Sequence, residues 1–294
     1  MGFDIAAVNF LLFAKKKNVN FTKTLMLGRH NYYLDAPDLE KCLVKNGRPA
    51  GEAAAILKED PAYVEPFLRS LGAETVHSMD ASTYENATLV HDLNKPIPAE
   101  LEQQYDLVID AGTLEHVFNF PQAIGNAMKM VKPGGYFLSI TIANNFFGHG
   151  FYQFSPELFY RVLSPENGYT MEQMYFTTTR PFAPWYEVPD PKVVKSRVLL
   201  QNSRESYLLV LAKKTAHQPL FTTTPQQSDY EFAWQQEGAQ EAKSKGTIQS
   251  LAAMLPETLK SRIRHWRTGI RNKRLQVFTK DYGNGLKHFF RKVK

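Results

Sequence analysis

The residues best suited to chemistry in this chain stand in two kinds of place: at the ends of apolar runs, and in one aromatic loop. Asp80 follows ETVHSM, Asp92 follows TLVH, and Asp110 closes DLVID ahead of Ala111, Gly112 and Thr113. A carboxylate at such a point can accept several donors in charge-assisted bonds. It can equally cap a turn or a helix start, and residue type alone leaves both readings open for Asp80 and Asp92. The loop 144-NNFFGHGFYQFSPELF-159 sets His149 between Gly148 and Gly150, with Tyr152, Gln153 and Ser155 adding hydrogen-bonding groups. A histidine so placed suits removal of a proton from a bound hydroxyl, or it caps a nearby backbone group. Phe146, Phe147, Phe151 and Phe154 offer faces for a sugar or aromatic ligand, or they pin the loop to a core.

Several chemistries are set aside by what the chain lacks. Its one cysteine, Cys42, excludes an internal disulfide and a cysteine-based zinc site, and fits a reducing compartment. The His and Asp residues show no metal-ligand spacing, so no metal is expected. There is also no serine-nucleophile elbow and no Walker-type phosphate loop. A hydrophobic content of 43% over 294 residues is ample for a sizeable core. The formal net charge of +6 hides an asymmetry: residues 256–294 hold 12 Lys/Arg against 2 Asp/Glu, the remainder 23 against 27. An acidic body with a basic tail implies that the tail has a partner of its own.

The elements that must position these residues alternate along the first half. Strand candidates are Thr24–Leu27, Glu74–Met79, Thr88–His91, Asp106–Asp110 and Tyr136–Ile142, with helical stretches between them, the pattern of a parallel sheet with crossover helices. Two further strands are expected around Glu172–Thr178 and Ser206–Ala212, and Ser155-Pro156-Glu157 reads as a helix start. The N-terminal run MGFDIAAVNFLLFAKKK is too short to span a bilayer. Its charges follow the apolar run, unlike a signal peptide, so it is expected to be a helix lying on the domain. Residues 1–215 are expected to form one domain, residues 216–250 a polar linker, and residues 251–294 a basic amphipathic helical tail.

The segment YDLVIDAGTLEHV, with KPGGYFLSI after it, resembles the strand 4–helix–strand 5 region of the type 11 superfamily of class I S-adenosylmethionine-dependent methyltransferases. The resemblance covers roughly residues 20–212. It implies an α/β, Rossmann-like, seven-stranded and mostly parallel sheet with helices on both faces, and S-adenosylmethionine as cofactor. It further implies that Asp80 takes the ribose hydroxyls, that Asp92 and Leu93 take the adenine, and that Ala111, Gly112 and Thr113 border the sulfonium. The Glu115-His116 pair has a largely positional role in that family. The stretch 26-MLGRHNYY-33 departs from the family's glycine-rich loop: only Gly28 remains, and Arg29 and His30 stand where the cofactor's methionine portion would lie. His149 is then the expected catalytic base, with Phe151, Tyr152 and Gln153 lining the acceptor.

The tail adds a location. Leu259, Ile263, Trp266 and Ile270 share one helical face, with Arg262, Arg264 and Arg271 largely off it, a composition suited to an anionic membrane surface. Nucleic acid would attract the same charge. The expectation is a cytoplasmic methyltransferase held at the inner membrane face, O-methylating a glycan, a lipid-linked intermediate or another small acceptor. The alternative is a methyltransferase-like scaffold or binding protein that has lost the reaction.

Overall fold

A computed structural model describes residues 2–195, 197–200, 202–234 and 291–292. The tail expected over residues 251–294 therefore lies outside the described residues, apart from the backbone of Arg291 and Lys292. The chain divides into two compact units. Of the described residues, the larger contains 2–188, 204–225 and 292, and the smaller those from 189 to 203, 226–234 and 291.

The larger unit opens with helix α1, Ile5–Lys16, started by the Asp4 side chain accepting from the Ala7 N–H. Ile5, Ala7, Val8, Phe10, Leu11, Leu12 and Ala14 are all buried, because the helix lies in the core. Strand β1 (Lys23–Leu27) follows, then α2 (Ala36–Lys45), α3 (Glu52–Glu59) and α4 (Glu65–Ser70), broken where Pro61 and Pro66 demand it. Next come β2 (Thr75–Asp80), the short β3 (Leu89–Val90), β4 (Tyr105–Asp110), α5 (Phe120–Met130) and the long β5 (Val131–Asn144). After α6 (Pro156–Val162) and β6 (Tyr169–Thr178), a two-residue strand β7 (Tyr186–Glu187) pairs with β6. Past α7 (Pro191–Val194), which belongs to the smaller unit, β8 (Ser206–Lys214) returns to the sheet. All seven expected strands form, and β7 is an addition beside β6 that two isolated residues in a Pro-rich stretch did not announce.

These strands lie in the order β3-β2-β1-β4-β5-β8-β6-β7. β3, β2, β1, β4 and β5 run parallel, while β8 inserts antiparallel between β5 and β6. Strand order reverses between β1 and β4, so the crevice beyond their carboxyl ends is where an open α/β sheet receives a ligand.

Side chains alternate across a strand, and here both faces are buried. Met26, Leu107, Ile109, Leu138 and Ile140 join one apolar cluster with α1, α2, α3 and α4. Their neighbours Leu25, Leu27, Val108, Phe137 and Val210 point the other way and are equally buried. Chain read from composition as the start of a linker is tied to the body: the Phe221 N–H donates to Asn167, and Gln218 donates to the Pro165 and Glu166 carbonyls. In the smaller unit Asp190 caps α7, residues 228–234 are helical, and Arg197 pairs with Asp229 at 2.7 Å.

Candidate functional site

A cleft of about 340 Å³ opens at the carboxyl ends of β1, β2, β3 and β4, near the lower limit for small-molecule sites. Gly28, Arg29, Asp80, Asp92, Leu93, Gly112 and Thr113 all line it. Ala111 is buried behind the wall.

The floor is β1 running into Gly28. Its φ of +79° places it in the left-handed region, and a Cβ there would come within 2.9 Å of Thr113 Oγ1. The Gly28 N–H donates to the Met79 carbonyl at 2.6 Å, and Thr113 Oγ1 donates to the Leu27 carbonyl at 2.6 Å, so three strand ends are laced together. Gly112, with φ +87°, keeps the β4 turn equally close.

Asp80 closes β2, with Oδ1 accepting from the Ser82 N–H at 3.2 Å. Asp92 accepts from the side chain and N–H of Asn94, which lower its pKa, the side-chain bond most. The turn reading of both carboxylates is thus realised at the same time as their placement on the cleft. Leu93 is held beside them because Asn126 of α5 donates to the Leu93 and Lys95 carbonyls at 3.1 and 2.7 Å.

Two residues crowd the end where the glycine-rich loop is missing. Arg29 Nε pairs with Glu65 at 2.7 Å, its Nη1 donates to the Glu85 carbonyl, and its guanidinium lies 3.7 Å from the Tyr63 ring centroid. The His30 ring is buried on the other side of Gly28, its Cε1 3.4 Å from where a Cβ would stand. His30, His91, Asn94, His116 and Val117 also line the cleft, and sequence reading gave none of them a ligand role except His30. Only their nearness to the expected strand ends could have marked them.

Beyond β4 the Leu114-Glu115-His116 triplet forms a single 3-10 turn. Asp110 is fully buried and accepts from the Thr113 and Leu114 N–H groups and from Ser139 Oγ at 2.7 Å. Glu115 is equally buried, with Thr141 Oγ1 3.4 Å from Oε2 and no hydrogen-bond partner among the described residues for Oε1. Burial, and then the charge of Asp110, raise the pKa of Glu115. Asp110 has the three donors, so of the two it is the better-stabilised anion.

The aromatic loop folds back on this turn. The Phe151 and Tyr152 N–H groups both donate to the Glu115 carbonyl, at 2.8 and 3.3 Å. Gly150, at φ +68°, permits the approach, since a Cβ there would lie 2.8 Å from that same oxygen. His149 is thereby laid against His116, ring centroids 4.8 Å apart, and its Nε2 is buried without a hydrogen-bond partner among the described residues. Burial, and then His149, lower the pKa of His116, which keeps it neutral near pH 7.

His149 therefore stands behind His116 relative to the cleft. The expected acceptor residues are mostly engaged in holding the loop: Tyr152 OH donates to the Phe118 carbonyl at 2.6 Å, and Gln153 Oε1 accepts from the Phe146 N–H at 2.9 Å. Phe151 is 64% exposed and edge-on to Phe118.

The expectation of no metal cluster needs correction. One ligand atom each from Glu115, His116 and His149 lies within 4.8 Å of the others. Spacing along the chain concealed the group, because loop closure over β5 brings His149 to residues 33 and 34 positions earlier.

The strand order and cleft define a Rossmann-like α/β fold. No family model matches the chain, and no curated protein matches it. Solved structures with similar chains include an S-adenosylmethionine-dependent methyltransferase from Thermotoga maritima, 13% identical over 71% of this chain and 89% of that one, TM-score 0.34. A second is the 1,6-didemethyltoxoflavin-N1-methyltransferase of Burkholderia thailandensis, bound to S-adenosylhomocysteine: 12% identical over 72% and 80%, TM-score 0.40. The branched-chain polyamine synthase of Thermus thermophilus is 16% identical over 75% and 59%, TM-score 0.38. The functional reading rests on the cleft.

Proposed function

We propose that this chain is an S-adenosylmethionine-dependent methyltransferase acting on a hydroxyl of a small acceptor, a glycan or a lipid-linked intermediate among them. The observation that carries the reading is the convergence of Gly28, Asp80, Asp92, Leu93, Gly112 and Thr113 on one cleft at the switch point of the sheet. When bound, the cofactor supplies an electrophilic methyl group on sulfur. Asp80 would accept the ribose hydroxyls, Asp92 the adenine amino group, and Leu93 would cover the ring. Gly28 and Gly112 leave the backbone bare at the sulfonium end. At that end His116 stands on the wall with His149 edge-on behind it, and His116, backed by His149, would take the proton of an acceptor hydroxyl.

A second reading has its own support. Arg29 is committed to Glu65, and the His30 ring fills space beside Gly28 that a glycine-rich loop would leave open. Those contacts suit a binding protein that performs no methyl transfer.

Calorimetric titration with S-adenosylmethionine and S-adenosylhomocysteine, repeated on Asp80→Ala, separates the two. The first reading expects micromolar binding that the substitution weakens by about 1.5–3 kcal/mol, roughly ten- to a hundredfold. Absence of binding to the unaltered protein would favour the second.

A further inference from the structure

We propose that Glu115, His116 and His149 form a three-ligand site for a divalent transition metal, with zinc as the ion. Two imidazoles and one carboxylate are a donor set that zinc uses in catalytic sites, where a fourth position stays open. Zinc ligands at about 2.0–2.2 Å in tetrahedral array stand about 3.4 Å from one another. The three donor atoms here lie within 4.8 Å, so closing on an ion takes movements of roughly an ångström. His116 is exposed and His149 half-buried, and rotation of their rings can supply that movement. Glu115 stays fixed by its burial.

A separate observation points to a cation. Glu115 is 0% exposed, its Oε1 has no hydrogen-bond partner among the described residues, and His149 Nε2 beside it has none either. A buried polar atom without a hydrogen-bond partner is costly, and an ion at this point would remove that cost for both groups. The site is also held in advance of binding: the Phe151 and Tyr152 N–H groups tie the His149 loop to the carbonyl of Glu115 itself. His116 is shared with the cleft wall, so the open coordination position would face the space beside the sulfonium end. An acceptor hydroxyl bound there would be acidified and lose its proton to solvent, the imidazoles then serving as ligands in place of the base. That use of the ion rests on the methyl-transfer reading, whereas binding of the ion does not.

The test is zinc uptake by the full chain, freed of any histidine tag and stripped with chelator, followed by calorimetry. One ion per chain at micromolar affinity or tighter is expected, weakened at least tenfold by each of His116→Ala, His149→Ala and Glu115→Gln. Cobalt, as a spectroscopic probe, should give visible absorption bands that His149→Ala removes. No zinc uptake, or uptake that all three variants retain, would overturn the proposal. If Glu115→Gln fails to fold by circular dichroism, the two histidine variants decide. Asp80→Ala should bind zinc normally, so loss of the cofactor reading and loss of the metal site are told apart.

Discussion

At the scale of single residues, this site is built from side chains that serve structure and ligand together. Asp80 and Asp92 each hold a local turn while standing on the cleft, and Thr113 laces β4 to β1 from the cleft wall. Gly150 is the sharpest case, because one absent methyl group lets the loop reach the Glu115 carbonyl. Gly150→Ala would meet that oxygen at 2.8 Å in a left-handed backbone. The strain alone costs about 1–2 kcal/mol, and the bonds from Phe151 and Tyr152 would lengthen or break. Urea unfolding should show the stability lowered by at least that amount, and an unchanged midpoint would show that the loop closes some other way.

At the scale of elements, the junction of α5 with β5 depends on Lys214 at the end of β8. Its ammonium is nearly fully buried and Nζ donates to the carbonyls of Met128 at 2.9 Å and Val131 at 2.7 Å, where α5 runs out of its own donors. Lys214→Met keeps the apolar stem but takes its donor from the Val131 oxygen, while the Met128 oxygen still accepts from the Tyr169 hydroxyl at 2.7 Å, an expected loss of about 1–3 kcal/mol by denaturant unfolding. Burial also pulls the Lys214 pKa down to about 8. From about pH 8 towards the unfolded value of 10.5 the unfolded lysine holds a proton that the folded one has shed. Lys214 therefore makes stability rise with pH across that window. The methionine variant should lack this contribution, and a pH slope identical to that of the unaltered protein would assign the rise to another group.

At the scale of the whole molecule, charge is divided unevenly: 12 of the 35 basic residues fall in residues 256–294. No helix among the described residues is long and apolar enough to cross a membrane. A peripheral role for the basic segment is proposed on composition, through attraction to anionic lipid and burial of Leu259, Ile263, Trp266 and Ile270. Deleting residues 251–294 should abolish co-sedimentation with phosphatidylglycerol vesicles and leave the circular dichroism of the body unchanged. Vesicle binding that survives the deletion would place the membrane contact elsewhere. Binding to duplex DNA stronger than to vesicles would make nucleic acid the partner.

What the sequence alone determined was whatever depends on local pattern. Strand positions, the Pro breaks and the helix start at Pro156 follow from hydrophobic period and backbone chemistry within a few residues of each other. The family resemblance added the expectation that Asp80, Asp92 and Gly112 share one cleft, where they do stand. Tertiary structure alone decided the rest. Arg29 is occupied by Glu65, 36 residues away, and Tyr152 by Phe118, 34 residues away. Glu115, His116 and His149 converge only because a loop folds over the sheet and binds a carbonyl that a side-chain pattern cannot reveal. Period and propensity report which face a residue takes, whereas partnership across the fold depends on backbone atoms that every sequence has alike.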